Sequence, residues 1–293
     1  MNNRTFIPGS EWVYFKIYTG IKTADNILKN ELSDYVREMQ INNIIDKWFF
    51  IRYTDPHFHI RLRLHLKDIK NYSIIFNRFF DYFQPTVNSE LVWNIQCDTY
   101  QREIERYGTN TISIIEDLFF IDSESIINIL QELDDDNPEL KRWESALVIV
   151  DNYLSAFKID LPQRLEFSKM NADKFKNEFG FIRHNETKQL NDKYRAYRKD
   201  IEYTMSKKNE IFKSNKAIKE QMQTFIPLIE KIAIMDKSGE LQVTMVSLLS
   251  SLIHMSLDRL FRTKNRLHEM IIYEFLSKFY SSEIARNTHK SKI

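Results

Sequence analysis

In the first hundred residues, segments whose apolar residues recur with a period of two alternate with segments of helical spacing, and a period near 3.6 runs through most of the remainder. Between Glu11 and Thr19, Trp12, Tyr14 and Tyr18 fall on one side of an extended segment and Val13, Phe15 and Ile17 on the other, with Gly20 marking its end. Both sides are apolar or aromatic, which predicts a strand buried on both faces. From Trp48 to Leu66 the sequence WFFIRYTDPHFHIRLRLHL reads as two strands joined by a tight turn at Asp55-Pro56. Its second run alternates His59, Arg61, Arg63 and His65 with Ile60, Leu62, Leu64 and Leu66, so one face is core and the other is cationic. A further strand is predicted at Leu91 to Thr99.

Helical spacing predicts a covering helix from about Ala24 to Met39, built on Ile27, Leu28, Leu32, Tyr35 and Val36, and another from about Ile69 to Tyr82. A helix from Ser113 to Leu133 is predicted with one shift or break. From Arg142 onward the pattern is helical almost to the end. Ala146 to Phe157 reads as a buried helix, Lys174 to Lys216 as a charged, solvated helical stretch, and Val243 to Phe261 and Leu267 to Phe279 as amphipathic helices. The order gives an α+β fold, with a small, mostly antiparallel sheet module over about 1–110 packed on a larger helical layer over about 111–293, in a single domain spanning 1–293. No internal repeat, low-complexity tract or clear linker interrupts it.

Composition narrows the class. Five glycines and six prolines in 293 residues favour long regular elements and make a glycine-rich phosphate loop improbable. A net charge of +1 offers no global positive field for nucleic acid. Cys97 is the only cysteine, which excludes an intrachain disulfide and leaves any zinc site dependent on His and carboxylates. No signal-like segment or membrane-length apolar run is present, so a cytoplasmic location is expected.

Three groups of residues carry candidate chemistry. On the cationic strand face, fixed charges at Arg61 and Arg63 oppose a metal site built from His57, His59 and His65, whereas a guanidinium fork matches a carboxylate. Salt bridges to acidic helix faces are the alternative for these arginines. Arg102 and Arg106 sit beside Glu103 and Glu105, which are either ion-pair partners or acid/base groups. His254 has Ser250, Ser251 and Asp258 at helical spacing. Asp258, one turn on, is predicted to orient the imidazole for proton transfer; a hydrogen-bonded core histidine is the alternative. Walker, GxGxxG, GxSxG and HExxH motifs are absent.

The stretches EWVYFKIYTG at Glu11, WFFIRYTDPHFHIRLR at Trp48, YQREIERYG at Tyr100 and SLIHMSLDRL at Ser251 resemble, in the same order, the C-terminal elimination domain of class I lanthipeptide dehydratases. Stand-alone versions of that domain are labelled thiopeptide-type bacteriocin biosynthesis proteins. The middle, about Lys174 to Lys237, carries no matching motif, and Asp258 stands where the family more often has asparagine. The resemblance implies a lyase that removes glutamate from glutamylated Ser or Thr of a precursor peptide, leaving dehydroalanine or dehydrobutyrine. By the same resemblance Arg63 and Arg102 grip the glutamyl carboxylates and stabilise the leaving group, Arg61 supports them, and His254 is the acid/base. Arg52, Tyr53, His59, Arg106 and Asp258 are expected to assist substrate binding. No metal or organic cofactor is implied. The expected partners are the glutamylated precursor peptide and a separately encoded glutamyl-tRNA-dependent glutamylation protein, for which this chain has no room; no direct nucleic-acid contact or membrane span is expected, and a homodimer is left open. Two other activities fit the same residues: a thiopeptide pyridine synthase performing a formal [4+2] cyclisation, and a non-catalytic subunit that binds a precursor peptide.

Overall fold

The computed structural model describes the backbone of residues 3–133, 138–181, 184–214 and 216–290, and the side chains of these except 138, 184–187, 207–214, 216–222 and 290. The chain divides into two compact units. The first comprises the N-terminal part through Glu132 together with Ile234–Thr244 and Asp258–Thr263, and the second the intervening helical segments and the C-terminal helix.

The first unit is organised on the strands β1 (Thr5–Phe6), β2 (Trp12–Thr19), β3 (Ile45–Thr54), β4 (Phe58–Leu66), β5 (Val92–Cys97) and β6 (Tyr100–Gln101). Four form an antiparallel sheet in the order β3-β4-β2-β5, and β1 pairs with β6. The period-two reading holds: β2 is buried on both faces but for a half-buried Lys16. Because residues opposite one another in an antiparallel pair share a face, the register fixes two distinct surfaces. Arg63 lies between Tyr14 and Phe49, Arg61 between Lys16 and Ile51, and His59 between Tyr18 and Tyr53. On the other surface Leu62 lies between Phe15 and Phe50, and Ile60 between Ile17 and Arg52.

Helices cover that second surface. α1 (Thr23–Ile27) and α2 (Ser33–Ile41) are joined by a π-helical turn at Leu28–Leu32, and α3 (Tyr72–Asn88) follows a 3₁₀ turn at Ile69–Asn71. Phe15 stacks on Phe79 with ring centroids 4.0 Å apart, and the Tyr35 hydroxyl donates to the Ile75 carbonyl at 3.1 Å. α3 runs past the predicted end at Tyr82, with Pro85 tolerated in its last turn. A short α4 (Ile104–Tyr107) leads into α5 (Ile112–Glu132).

α5 corrects the sequence reading twice. It is continuous, where a shift or break was expected, and it belongs to the first unit, so the sheet module extends beyond residue 110. The physical reason is common to both. The polar residues that interrupt its apolar pattern are bonding partners of the sheet region. The Phe50 N–H donates to Ser123 Oγ at 3.3 Å, and Trp48 Nε1 donates to Glu124 Oε1 at 2.7 Å.

The second unit contains α6 (Pro138–Ala156), α7 (Leu161–Phe179), α8 (His184–Ser214), most of α9 (Lys216–Lys237) and of α10 (Met245–Leu260), and α11 (Asn265–Lys290). α7 begins with a reciprocal cap between Asp160 and Gln163 and ends at Gly180 in the left-handed conformation. It packs along α11, where Tyr273 meets Phe167 and Phe175. α11 is not the amphipathic helix expected, because Glu269 to Ser277 are buried without interruption, on every side of the helix. α8 is charged and mostly exposed as predicted, with a buried stripe at Leu190, Tyr194, Ile201 and Met205. The side chains of Lys174 to Lys216 at 182–187 and 207–216 lie outside those described. No helix among the described residues is long and apolar enough to cross a membrane.

Candidate active site

Strand alternation on β4 delivers Arg63 into a box of rings. Its guanidinium carbon is 4.6 Å from the Tyr14 ring centroid, 4.9 Å from Tyr100 and 5.2 Å from Phe49, and the side chain is 7% exposed residue-wide. Among the described residues, Nε and Nη1 are buried with no hydrogen-bond partner. Burial pushes the guanidinium pKa down, and the field of Glu103 opposes that shift. An arginine does not lose its proton in a protein, so a buried cation stands here with no carboxylate bonded to it. Ring faces offset only about 2 kcal/mol of such a desolvation cost. A guanidinium so placed can bind an anion.

Arg61, two residues back on the same face, stacks on Tyr53 with its guanidinium carbon 3.4 Å from the ring centroid. Its Nε donates to His59 Nε2 at 3.1 Å, and His59 Nδ1 lies 2.8 Å from the His57 carbonyl. Those two contacts require His59 to carry its proton on Nδ1 and accept on Nε2. Burial lowers the His59 pKa, with the His57 carbonyl opposing and Arg61 reinforcing, which keeps the ring neutral. His59 therefore orients Arg61 and is not itself a cation for substrate. His65 is engaged as well: Asp46 holds its Nδ1 at 2.6 Å and the Trp12 ring lies tilted against it, centroids 4.9 Å apart. The predicted four-membered cationic face is reduced to two arginines, one buried and one half-buried.

Arg102 is committed elsewhere. Its Nε and Nη2 each donate to the Glu116 carboxylate at 2.6 Å, its Nη1 donates to the Asn3 carbonyl at 3.1 Å, and the Tyr100 hydroxyl reaches the same carboxylate at 2.8 Å. Glu116 comes from α5 and was not foreseen as the partner. Of the two neighbours considered from sequence, Glu103 contacts Arg106 at 3.4 Å and Glu105 pairs with Arg4 at 2.7 Å. Arg106 also lies over the Tyr107 ring.

Arg52 is on the opposite face, because β3 registers it against Ile60 and not against an arginine. Its Nη2 donates to Asp25 at 2.6 Å and its Nε to the Arg259 carbonyl at 2.8 Å. Arg259 in turn donates from Nε to the Phe50 carbonyl and from Nη1 to Asp122, both at 2.8 Å. Arg262 joins Asp25 at 2.5 Å, and Asp258 adds to the field on Arg52. Arg52, expected at the substrate, is thus bonded within the protein on the opposite face, while Tyr53, the next residue, lies on the arginine face.

In the second unit, His254 on α10 has its Nδ1 2.7 Å from Glu269 Oε2. The imidazole is 29% exposed and the carboxylate 3%. Glu269, rather than Asp258, is the carboxylate bonded to the ring. With a carboxylate on Nδ1 the neutral imidazole carries its proton there and presents the Nε2 lone pair as a base. Burial and the Glu269 charge raise the Tyr273 pKa well above the usual phenol value. A glutamate inside the apolar run of α11 was the signal available in the sequence, since buried carboxylates are rare without a partner. Among the described residues no group of three His, Cys, Asp or Glu side chains is arranged to hold a metal ion.

Residues 12–280 match the family model described as lantibiotic biosynthesis dehydratase C-term. The chain is 27% identical over 285 residues to the nisin biosynthesis protein NisB of Lactococcus lactis subsp. lactis, covering 97% of this chain and 27% of that protein. It is 26% identical over 281 residues to the subtilin biosynthesis protein SpaB of Bacillus subtilis, covering 92% and 26%. The chain spans about a quarter of the length of these curated relatives. Its fold is similar to that of the tRNA dependent lantibiotic dehydratase MibB from Microbispora sp. 107891, with a TM-score of 0.67 at 16% identity over 95% of this chain and 29% of that one. It is also similar to the pyridine synthase TbtD from thiomuracin biosynthesis, with a TM-score of 0.68 at 12% identity over 93% and 98% of the two chains. At such identities the structural likeness speaks to fold alone, whereas the family model covers most of the sequence: this chain belongs to the lantibiotic dehydratase C-terminal family.

Proposed function

We propose that this chain catalyses β-elimination of glutamate from glutamylated Ser or Thr residues of a lantibiotic-type precursor peptide. The observation that carries the reading is Arg63, a buried guanidinium with two nitrogens that lack acceptors among the described residues. In the proposed step the Nε2 of His254 takes the Cα proton of the modified residue. The C–H electron pair becomes the Cα–Cβ double bond, and the Cβ–O bond breaks with its pair staying on the departing glutamate carboxylate. Arg63 and Arg61 hold the glutamyl group and stabilise the charge that develops on leaving. Tyr53 and His59 position Arg61. Arg102 serves as a support, because withdrawing it would leave the Glu116 carboxylate buried and unpaired; Arg106 is the arginine of that motif assigned to substrate. The glutamylated peptide is supplied by a glutamylating activity acting beforehand.

Fold likeness to a pyridine synthase supports a second reading, cyclisation of an already dehydrated peptide. One experiment separates them. The purified chain is incubated with glutamylated and, separately, with dehydrated precursor peptide, and the products are weighed by mass spectrometry. Loss of one glutamic acid from the first with no change in the second is the expected result. The reverse pattern contradicts elimination, and no reaction with either contradicts both.

A further inference from the structure

Two tyrosines flank the buried Arg63 guanidinium, and their hydroxyls are used differently. Tyr100 donates its hydroxyl to Glu116 at 2.8 Å. Tyr14 is 4% exposed, stands directly opposite Arg63 in the β2–β4 register, and makes no hydrogen bond through its hydroxyl among the described residues. A third tyrosine on the same face, Tyr18, is also engaged, donating to Gln96 at 3.2 Å. The packing of Tyr14 against Arg63 requires only a ring, which phenylalanine would supply equally well.

The surroundings of Tyr14 are cationic. Lys16 lies 5.8 Å from its ring centroid, Arg63 lies 4.6 Å away, and Arg61 is near enough to act on it electrostatically. Burial raises the phenol pKa more than these cations lower it, so the O–H is retained at neutral pH as a donor. Lys16 is itself bonded to Asp98, and Arg61 to His59. Among the described residues, Nε and Nη1 of Arg63 are buried without an acceptor, and the Tyr14 hydroxyl directly across the strand pair is not engaged by a protein group. A planar guanidinium beside a phenol matches the two oxygens of one carboxylate.

We propose that the Tyr14 hydroxyl is a substrate-binding donor that joins Arg63 in holding the free carboxylate of the glutamyl group. The inference rests on the elimination reading for the identity of the ligand, and on the geometry of the face for the donor itself. It is tested with Tyr14→Phe, which keeps the ring against Arg63 and removes one oxygen. Free glutamate is titrated calorimetrically into the native chain and the variant, elimination from glutamylated peptide is timed in both, and thermal unfolding checks that the variant is folded. A hydrogen bond to a charged acceptor gives an expected loss of about tenfold or more in glutamate affinity and a matching fall in kcat/KM, with the unfolding temperature unchanged or raised. Equal affinity in the two proteins, or affinity in neither, overturns the assignment of Tyr14. A native chain that binds glutamate at least tenfold more tightly than Tyr14→Phe yet releases none from peptide keeps the Tyr14 site and overturns the elimination reading instead.

Discussion

Arg52 and Arg63 are both buried on neighbouring strands of one sheet, yet their surroundings are opposite. Arg52 donates to Asp25 and to the Arg259 carbonyl, and Arg259 and Arg262 have Asp122 and Asp25, so each cation of this group has a carboxylate even though Arg52 Nη1 and Arg259 Nη2 are left without a partner among the described residues. Around Arg63 there are three rings and, among the described residues, no acceptor for Nε or Nη1. The same side chain in the same sheet thus serves as a clamp on one face and as an unsatisfied charge on the other. Burial of an arginine alone says nothing of function; what distinguishes the two is whether the protein itself supplies the anion.

The largest effect expected from breaking this contrast is on stability at the clamp. Arg52→Ala removes one cationic partner of the buried Asp25 and the donor to the Arg259 carbonyl, which should cost about 3–5 kcal/mol in denaturant unfolding. Glutamate release per folded molecule should be unaffected. An Arg52→Ala protein that unfolds like the native chain but no longer eliminates would move Arg52 from the clamp to the substrate.

Next in size is the positioning carboxylate of the histidine. Glu269→Gln should lower kcat by roughly tenfold to a hundredfold, within the usual reach of general acid–base assistance, and leave KM nearly unchanged. A rise in KM at constant kcat would assign Glu269 to binding in place of orientation.

The smallest effect concerns His59, whose folded-state pKa burial holds below its ordinary 6.5. As pH falls through 6.5 the unfolded chain takes the proton before the folded one does, so stability declines from there downward and nothing is lost above it. The slope attributable to one such group is at most about 1.4 kcal/mol per pH unit. His59→Gln should flatten the stability curve below pH 6.5 by that amount or less, as followed by chemical unfolding at stepped pH; an unchanged slope would show that His59 is not held neutral.

The sequence made the strands and their two faces legible because period-two alternation is a local property, visible in IRLRLHL without knowing any neighbour. It could not separate Arg52 from Arg63, since that depends on register across the Asp55-Pro56 turn and on Asp25 and Asp122 arriving from distant helices. The continuity of α5 was hidden for a related reason: Glu116, Asp122, Ser123 and Glu124 look like interruptions of an apolar helix until their partners Arg102, Arg259, Phe50 and Trp48 are in place. Proximity along one helix suggested Asp258 for His254, but Nδ1 is bonded to Glu269, which belongs to another helix.

Arg63→Met tests the central claim most directly. Methionine fills the ring-lined space without a charge, so the variant should unfold at the same or a higher denaturant concentration than the native chain, as replacement of buried charges by apolar residues of similar volume commonly does. It should nevertheless leave glutamylated peptide intact under conditions in which the native chain releases glutamate. A variant that is strongly destabilised, or one that eliminates at the native rate, would show that Arg63 belongs to the clamp side of the contrast after all.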